Sequence, residues 1–98
     1  MEALSVSAIK NRLAPVFSRY NVRKAVLFGS VAKGTSTEHS DVDLLVDSGL
    51  RGLRFVGLLE EIQNATGVEV DLLDVTHVEK GSLIDNEITN TGIVIYEK

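Results

Sequence analysis

The sequence predicts an α+β (α/β) domain, a mixed β-sheet of about four strands packed with helices. Three observations carry that expectation. The chain has 98 residues, 44% of them hydrophobic but only 5% aromatic. That length suits one domain, residues 1–98, with a core built from Val, Leu and Ile, because a second core would be starved of apolar surface. The spacing of apolar residues switches between three- or four-residue steps and strict alternation. The resulting order, α-β-β-α-β-α-β, puts helices over a sheet.

Taken in turn, Ile9, Leu13, Val16, Phe17 and Tyr20 give a helix from about Leu4 to Tyr20, with Ser5 or Ser7 as its N-cap. Pro15 lacks an amide and crowds the preceding turn, so a kink or a division into two pieces is expected there. Lys24 to Phe28 reads as a strand ended by Gly29. In "VDLLVD" a second strand turns Val42, Leu44 and Val46 to one face, with Asp41, Asp43 and Leu45 on the other. Leu53, Val56, Leu59 and Ile62 mark a helix that Gly67 can close. "VEVDLL" makes a third strand, with Val68, Val70 and Leu72 on one face and Glu69, Asp71 and Leu73 on the other. Ser82 caps a last helix to about Thr89, Gly92 lies beyond its end, and "IVIY" is the final strand.

Composition excludes several functions. The net charge is -4 and the basic residues are scattered, so no surface is expected to grip an extended nucleic acid through many phosphates. Without cysteine there are no disulfides, thiolate metal sites or thiol nucleophiles. The first residues lack a basic-then-apolar signal profile, and no apolar run approaches the roughly 20 residues that span a bilayer. A cytoplasmic protein with no membrane association is expected.

Chemistry is concentrated in "FGSVAKGTSTEHSDVDLLVD", Phe28 to Asp47. On a strand, Asp41 and Asp43 project from one face about 7 Å apart at their Cα atoms. Asp71 can join them if its strand pairs alongside. Two carboxylates about 5 Å apart repel by roughly 3 kcal/mol at an effective dielectric near 20. Three such groups call for a cation, and oxygen-only ligands with room for phosphate oxygens select magnesium or manganese. Upstream, Gly29 and Ser30 with small Ala32 and Gly34 form the kind of turn that lets backbone amides and a hydroxyl approach phosphate.

These residues resemble the signature of the polymerase-beta-type nucleotidyltransferase superfamily: Gly-Ser, a spacer, Asp-x-Asp, and a third carboxylate on a later strand. Gly29, Ser30, Asp41, Asp43 and Asp71 match it position by position. In length the chain resembles the minimal nucleotidyltransferases, which act as antitoxins beside a HEPN-domain partner. The resemblance implies the nucleotidyltransferase fold, with Asp41, Asp43 and Asp71 as metal ligands and catalytic groups. It also implies Gly29, Ser30 and Lys33 as the residues that hold ATP. Lys33 stands where many relatives carry Arg, keeping the charge but not the bidentate geometry.

The implied reaction transfers AMP from ATP to a hydroxyl, a tyrosine of a cognate HEPN toxin, within a hetero-oligomer. The resemblance leaves two alternatives: a non-catalytic module that neutralises its partner by binding, and a small-molecule nucleotidyltransferase of the aminoglycoside type. Elsewhere, Asp47 and Asp74 read as turn residues, Glu69 as an exposed strand position, and His39 as a solvent-facing loop residue. Glu60, Glu61, Arg51 and Arg54 read as the solvated face of a helix. Tyr20 and Tyr96 fit apolar patterns better than base-stacking platforms.

Overall fold

The computed structural model describes residues 5–33 and 41–98, apart from the side chains of Ser30 and Lys33. Ser5 accepts the amide of Ala8 on its Oγ at 3.1 Å and starts α1 (Val6–Arg19), answering one of the open donors of the first turn. Ile9, Leu13, Val16 and Phe17 form its buried stripe. Pro15 does not divide it: the helix runs unbroken. Both Pro15 and Asn11, whose carbonyl loses its partner to the missing amide, are exposed, so water can serve that carbonyl.

Then follow β1 (Lys24–Phe28), a short α2 (Gly29–Lys33), β2 (Val42–Asp47), α3 (Leu53–Thr66) and β3 (Val70–Asp74). A 3-10 turn (Val75–His77), α4 (Leu83–Thr91) and β4 (Ile93–Glu97) complete the chain. The sheet order is β3-β2-β1-β4. β1 is antiparallel to β2 and β4, whereas β2 and β3 are parallel, a pairing that needs a crossover, here α3. The α+β expectation with a mixed four-stranded sheet therefore holds.

One sheet face makes the core. Ala25, Leu27, Val42, Leu44, Val46 and Ile95 are buried there against Phe17, Leu58 and Ile62. Alternation fixes this face, since Val42, Leu44 and Val46 are buried while Asp43, Leu45 and Asp47 are only partly so. Among the described residues no helix is long and apolar enough to cross a membrane.

The buried stripe of α3 differs from the expected one. Leu53 is 88% and Val56 51% exposed, and the core instead receives Leu58, Ile62 and Thr66, flanked by Phe55 and Leu59. Steps of three residues lag a full turn by about 60° each, so Leu53 and Ile62 lie on opposite sides of the helix. Gly67 does close it in the left-handed conformation, at φ 72°. The third strand begins two residues later than expected, at Val70, because residues 67–69 turn the chain out of α3.

Asp74 is also not the solvated turn residue that its position suggested; it is 3% exposed. Its Oδ1 accepts Ser48 Oγ at 2.6 Å and Ser48 N at 3.2 Å. Its Oδ2 accepts Thr76 N at 3.1 Å and Thr76 Oγ1 at 2.8 Å. Burial alone would push this carboxyl up, but the hydrogen bonds from Ser48 and Thr76 outweigh it and hold the group below its ordinary value of 3.8. Such a depressed group adds stability above the unfolded value, and that contribution disappears as pH falls through the folded one. Asp74→Ala is expected to cost about 2 kcal/mol at neutral pH. Urea denaturation should show the deficit shrinking as pH falls below 3.8.

Candidate active site

The sheet face turned away from the core carries the acidic residues. Phe28 at the end of β1 pairs with Asp43, and Asp43 pairs in turn with Asp71. Residues that face each other across parallel strands lie about 4.8 Å apart in the backbone. The two carboxylates are therefore neighbours by register, and the alternation that buries Val42 and Leu44 leaves Asp43 no other face. Where pairing begins, Val42 N donates to the Glu69 carbonyl at 3.1 Å, so Glu69, exposed as expected, contributes through its backbone.

Burial first, and then the charge and hydrogen bond of Asp71, push the Asp43 carboxyl up from 3.8 to about 6. Glu87 and Asp41 add to the rise in that order. Two carboxyls joined by a hydrogen bond must hold a proton between them, which is why one of them resists ionisation. Glu87, on α4, was absent from the sequence reading. No local pattern marks it, since its approach to Asp43 depends on the return of α4 over β1 before β4.

Asp41 precedes β2 by one residue and is exposed, and its effect on Asp43 is the smallest of those acting. Among the described residues no group of three Asp, Glu or His side chains closes round a metal ion. The donor chemistry nonetheless suits a hard divalent cation. Asp43 and Asp71 present oxygen only, and Asp41 and Glu87 add negative charge that such an ion would relieve. Magnesium characteristically takes one or two protein carboxylates and fills its remaining positions with water and substrate phosphate.

Gly29 closes the other side of the site. Its φ is +76°, and a Cβ placed there would run into Asp43, with Oδ2 the nearest atom and Cγ at 3.1 Å. Only glycine fits both the backbone conformation and the space. Ser30 and Lys33 belong to α2, but their side chains lie outside the described residues, as do Gly34 and His39. Arg51 and Arg54 are exposed as expected. Tyr20 and Tyr96 pack against the core, Tyr96 with its ring 5.4 Å from that of Phe17.

The family pattern described as Polymerase beta, Nucleotidyltransferase matches residues 11–98. The chain belongs to that nucleotidyltransferase family. A relative of this nucleotidyltransferase is the Methanocaldococcus jannaschii protein MJ0435, provisionally named a protein adenylyltransferase. The two are 30% identical over 92 residues, 92% of this chain and 97% of that one. Two solved structures share the fold. A toxin-antitoxin with AMP-PNP superposes with a TM-score of 0.77 at 20% identity, covering 91% of this chain and 73% of its own. A tri-AMPylated Shewanella oneidensis HEPN toxin in complex with MNT antitoxin gives 0.71 at 16% identity, covering 95% and 73%.

Two measurements check this arrangement. A carboxyl whose folded value is raised costs nothing below 3.8 and destabilises progressively as pH rises through its folded value. Asp43→Asn should therefore stabilise the protein at pH 8 by about 1 kcal/mol, after allowance for solvent screening, and much less near pH 4. Thermal unfolding should show the gain as a rise of about 5 °C at the higher pH. Gly29→Ala is expected to lose about 1–2 kcal/mol in the same assay through its left-handed backbone and the displaced Asp43 carboxylate.

Proposed function

We propose that this nucleotidyltransferase is a metal-dependent protein adenylyltransferase that moves AMP from ATP onto the hydroxyl of a tyrosine in a cognate HEPN-domain toxin. In this reading it acts as the antitoxin of the pair, within a hetero-oligomeric complex. The observation that carries the proposal is the register pairing of Asp43 with Asp71 beneath the turn at Gly29, in a chain of the polymerase-beta nucleotidyltransferase family. The adenylyltransferase name of MJ0435 supports AMP as the transferred group. The AMPylated HEPN toxin held by an MNT antitoxin of the same fold supports the acceptor class.

Asp41, Asp43 and Asp71 are the residues that would hold magnesium or manganese, an ion that would neutralise phosphate charge and polarise the α-phosphate. Asp43, titrating near 6 without an ion, is ionised at neutral pH and ready to serve as a ligand. Asp71, exposed beside it, orients the acceptor hydroxyl and takes its proton. As the acceptor oxygen bonds to the α-phosphorus, the bond to the bridging oxygen breaks and pyrophosphate leaves with the electron pair. Gly29, Ser30 and Lys33 hold the outer phosphates, with the backbone at Gly29 close to Asp43 because no side chain intervenes.

The test incubates the chain with magnesium, ATP and its HEPN-domain partner and weighs the partner by mass spectrometry. The expected result is the added mass of AMP, abolished by Asp43→Asn or Asp71→Asn while the complex persists. A tightly bound partner that never gains mass would replace this reading with that of a non-catalytic binding module.

A further inference from the structure

Basic residues that lie scattered in the sequence are gathered by the fold at one corner. A cleft of about 590 Å³ opens between the end of α1 and the first turns of α3. Arg19 lines it from α1 and Arg54 from α3. Lys98 joins them beyond β4, its Nζ donating to Oδ1 of Asn21, another lining residue, at 2.7 Å. Glu61 is already engaged: it accepts Nη2 of Arg19 at 2.7 Å and the hydroxyl of Tyr20. Glu60 also acts on Tyr20, but least of the charges around it. Among the described residues Arg54 and Lys98 have no carboxylate partner, and the first turn of α3 contains no acidic residue. This corner is therefore positive on a chain whose net charge is -4.

The apolar part of the corner is equally open. Leu50 lines the cleft, and Leu53, at its rim, is 88% exposed. Gly57 lies inside α3, where glycine weakens a helix, yet packing does not demand it: outside its own helix, a Cβ there would meet nothing nearer than Oη of Tyr20, at 3.4 Å. The missing side chain keeps the cleft open between the two helices. These few cations cannot grip an extended nucleic acid, and the Tyr20 ring packs against the core rather than offering a free face to a base. A small anion would answer the arginines but leave Leu53 bare. A polypeptide that bears both carboxylates and an aliphatic side chain covers the whole corner.

We infer that this cleft docks an acidic segment of the partner protein, whose carboxylates meet Arg54 and Lys98 while an aliphatic side chain lies over Leu50 and Leu53 against Gly57. Naming the partner as a HEPN-domain protein rests on the proposed function. Ser48, which also lines the cleft, stands five residues beyond Asp43, about 16 Å along the strand direction. A segment held there anchors the partner without touching the reacting groups. Charge complementarity brings the segment in and fixes its orientation, and burial of the two leucines adds affinity.

Calorimetry with a cognate HEPN-domain protein as the probe compares the wild-type chain with three variants: R54E, G57L, which fills the cleft, and K10E, which makes a similar charge change at an exposed position of α1 well before Arg19. A parallel titration measures AMP-PNP binding. Kd for the probe should rise about tenfold in R54E and in G57L and stay near the wild-type value in K10E. Added salt should weaken wild-type binding more steeply than R54E binding, and AMP-PNP affinity should not change. Unaltered probe binding in R54E would overturn the inference. So would an equal loss in K10E, which would reduce the effect to overall charge, or weakened AMP-PNP binding in R54E, which would assign the cleft to a nucleotide. R54E, at an exposed position, decides the matter if G57L does not fold. A wild-type chain that binds the probe but transfers no AMP would sink the catalytic reading, while the calorimetric comparison would still decide the cleft; a wild-type chain that never binds the probe would overturn both.

Discussion

The parallel pairing of β2 with β3 sets Asp43 opposite Asp71, and the rest of the structure is arranged to sustain that repulsive contact. The strands do not choose it; they are committed to it by the core. Val42, Leu44, Val46 and Val70 must face α1 and α3, and a period of two then directs the intervening carboxylates to the other face. Slipping the register by one residue to separate the charges would expose the whole aliphatic set. Buried apolar surface is thus what holds two like charges together.

The far end of the same strand pair shows the complementary device. Ser48 follows β2 and Asp74 ends β3, and their hydrogen bonds tie the strands where the Asp43–Asp71 contact cannot. Asp74 lies below its ordinary value because every partner donates to it. Asp43 lies above its own because burial and Asp71 oppose its charge. Two aspartates on one strand pair therefore differ in kind: one fixes register, and the other sits beside a like charge that opposes its ionisation. Gly29 completes the arrangement by keeping the β1 turn against Asp43, where any side chain would push the carboxylate aside.

Most of the fold was legible because it depends on local patterns: the cap at Ser5, the alternation in "VDLLVD", and the left-handed close at Gly67. Leu53 and Val56 misled because a run of three-residue steps imitates a helical stripe while drifting off the face. The pairing of Asp43 with Asp71 was anticipated from spacing and family resemblance together; spacing alone leaves the partner strand unknown. Glu87 and the buried role of Asp74 were not legible at all. Glu87 depends on contacts between segments far apart in the chain, and so does Asp74 through Ser48, although its bonds to Thr76 are local.

In the proposed reading, Asp43 and Asp71 form one negatively charged centre that takes a divalent ion. Carboxyl-carbon NMR of Asp43 through a pH titration, with and without magnesium, tests it most directly. Titration near 6 is expected in the metal-free protein, with a marked fall when magnesium is added. An ordinary carboxylate titration that magnesium leaves unmoved would contradict it.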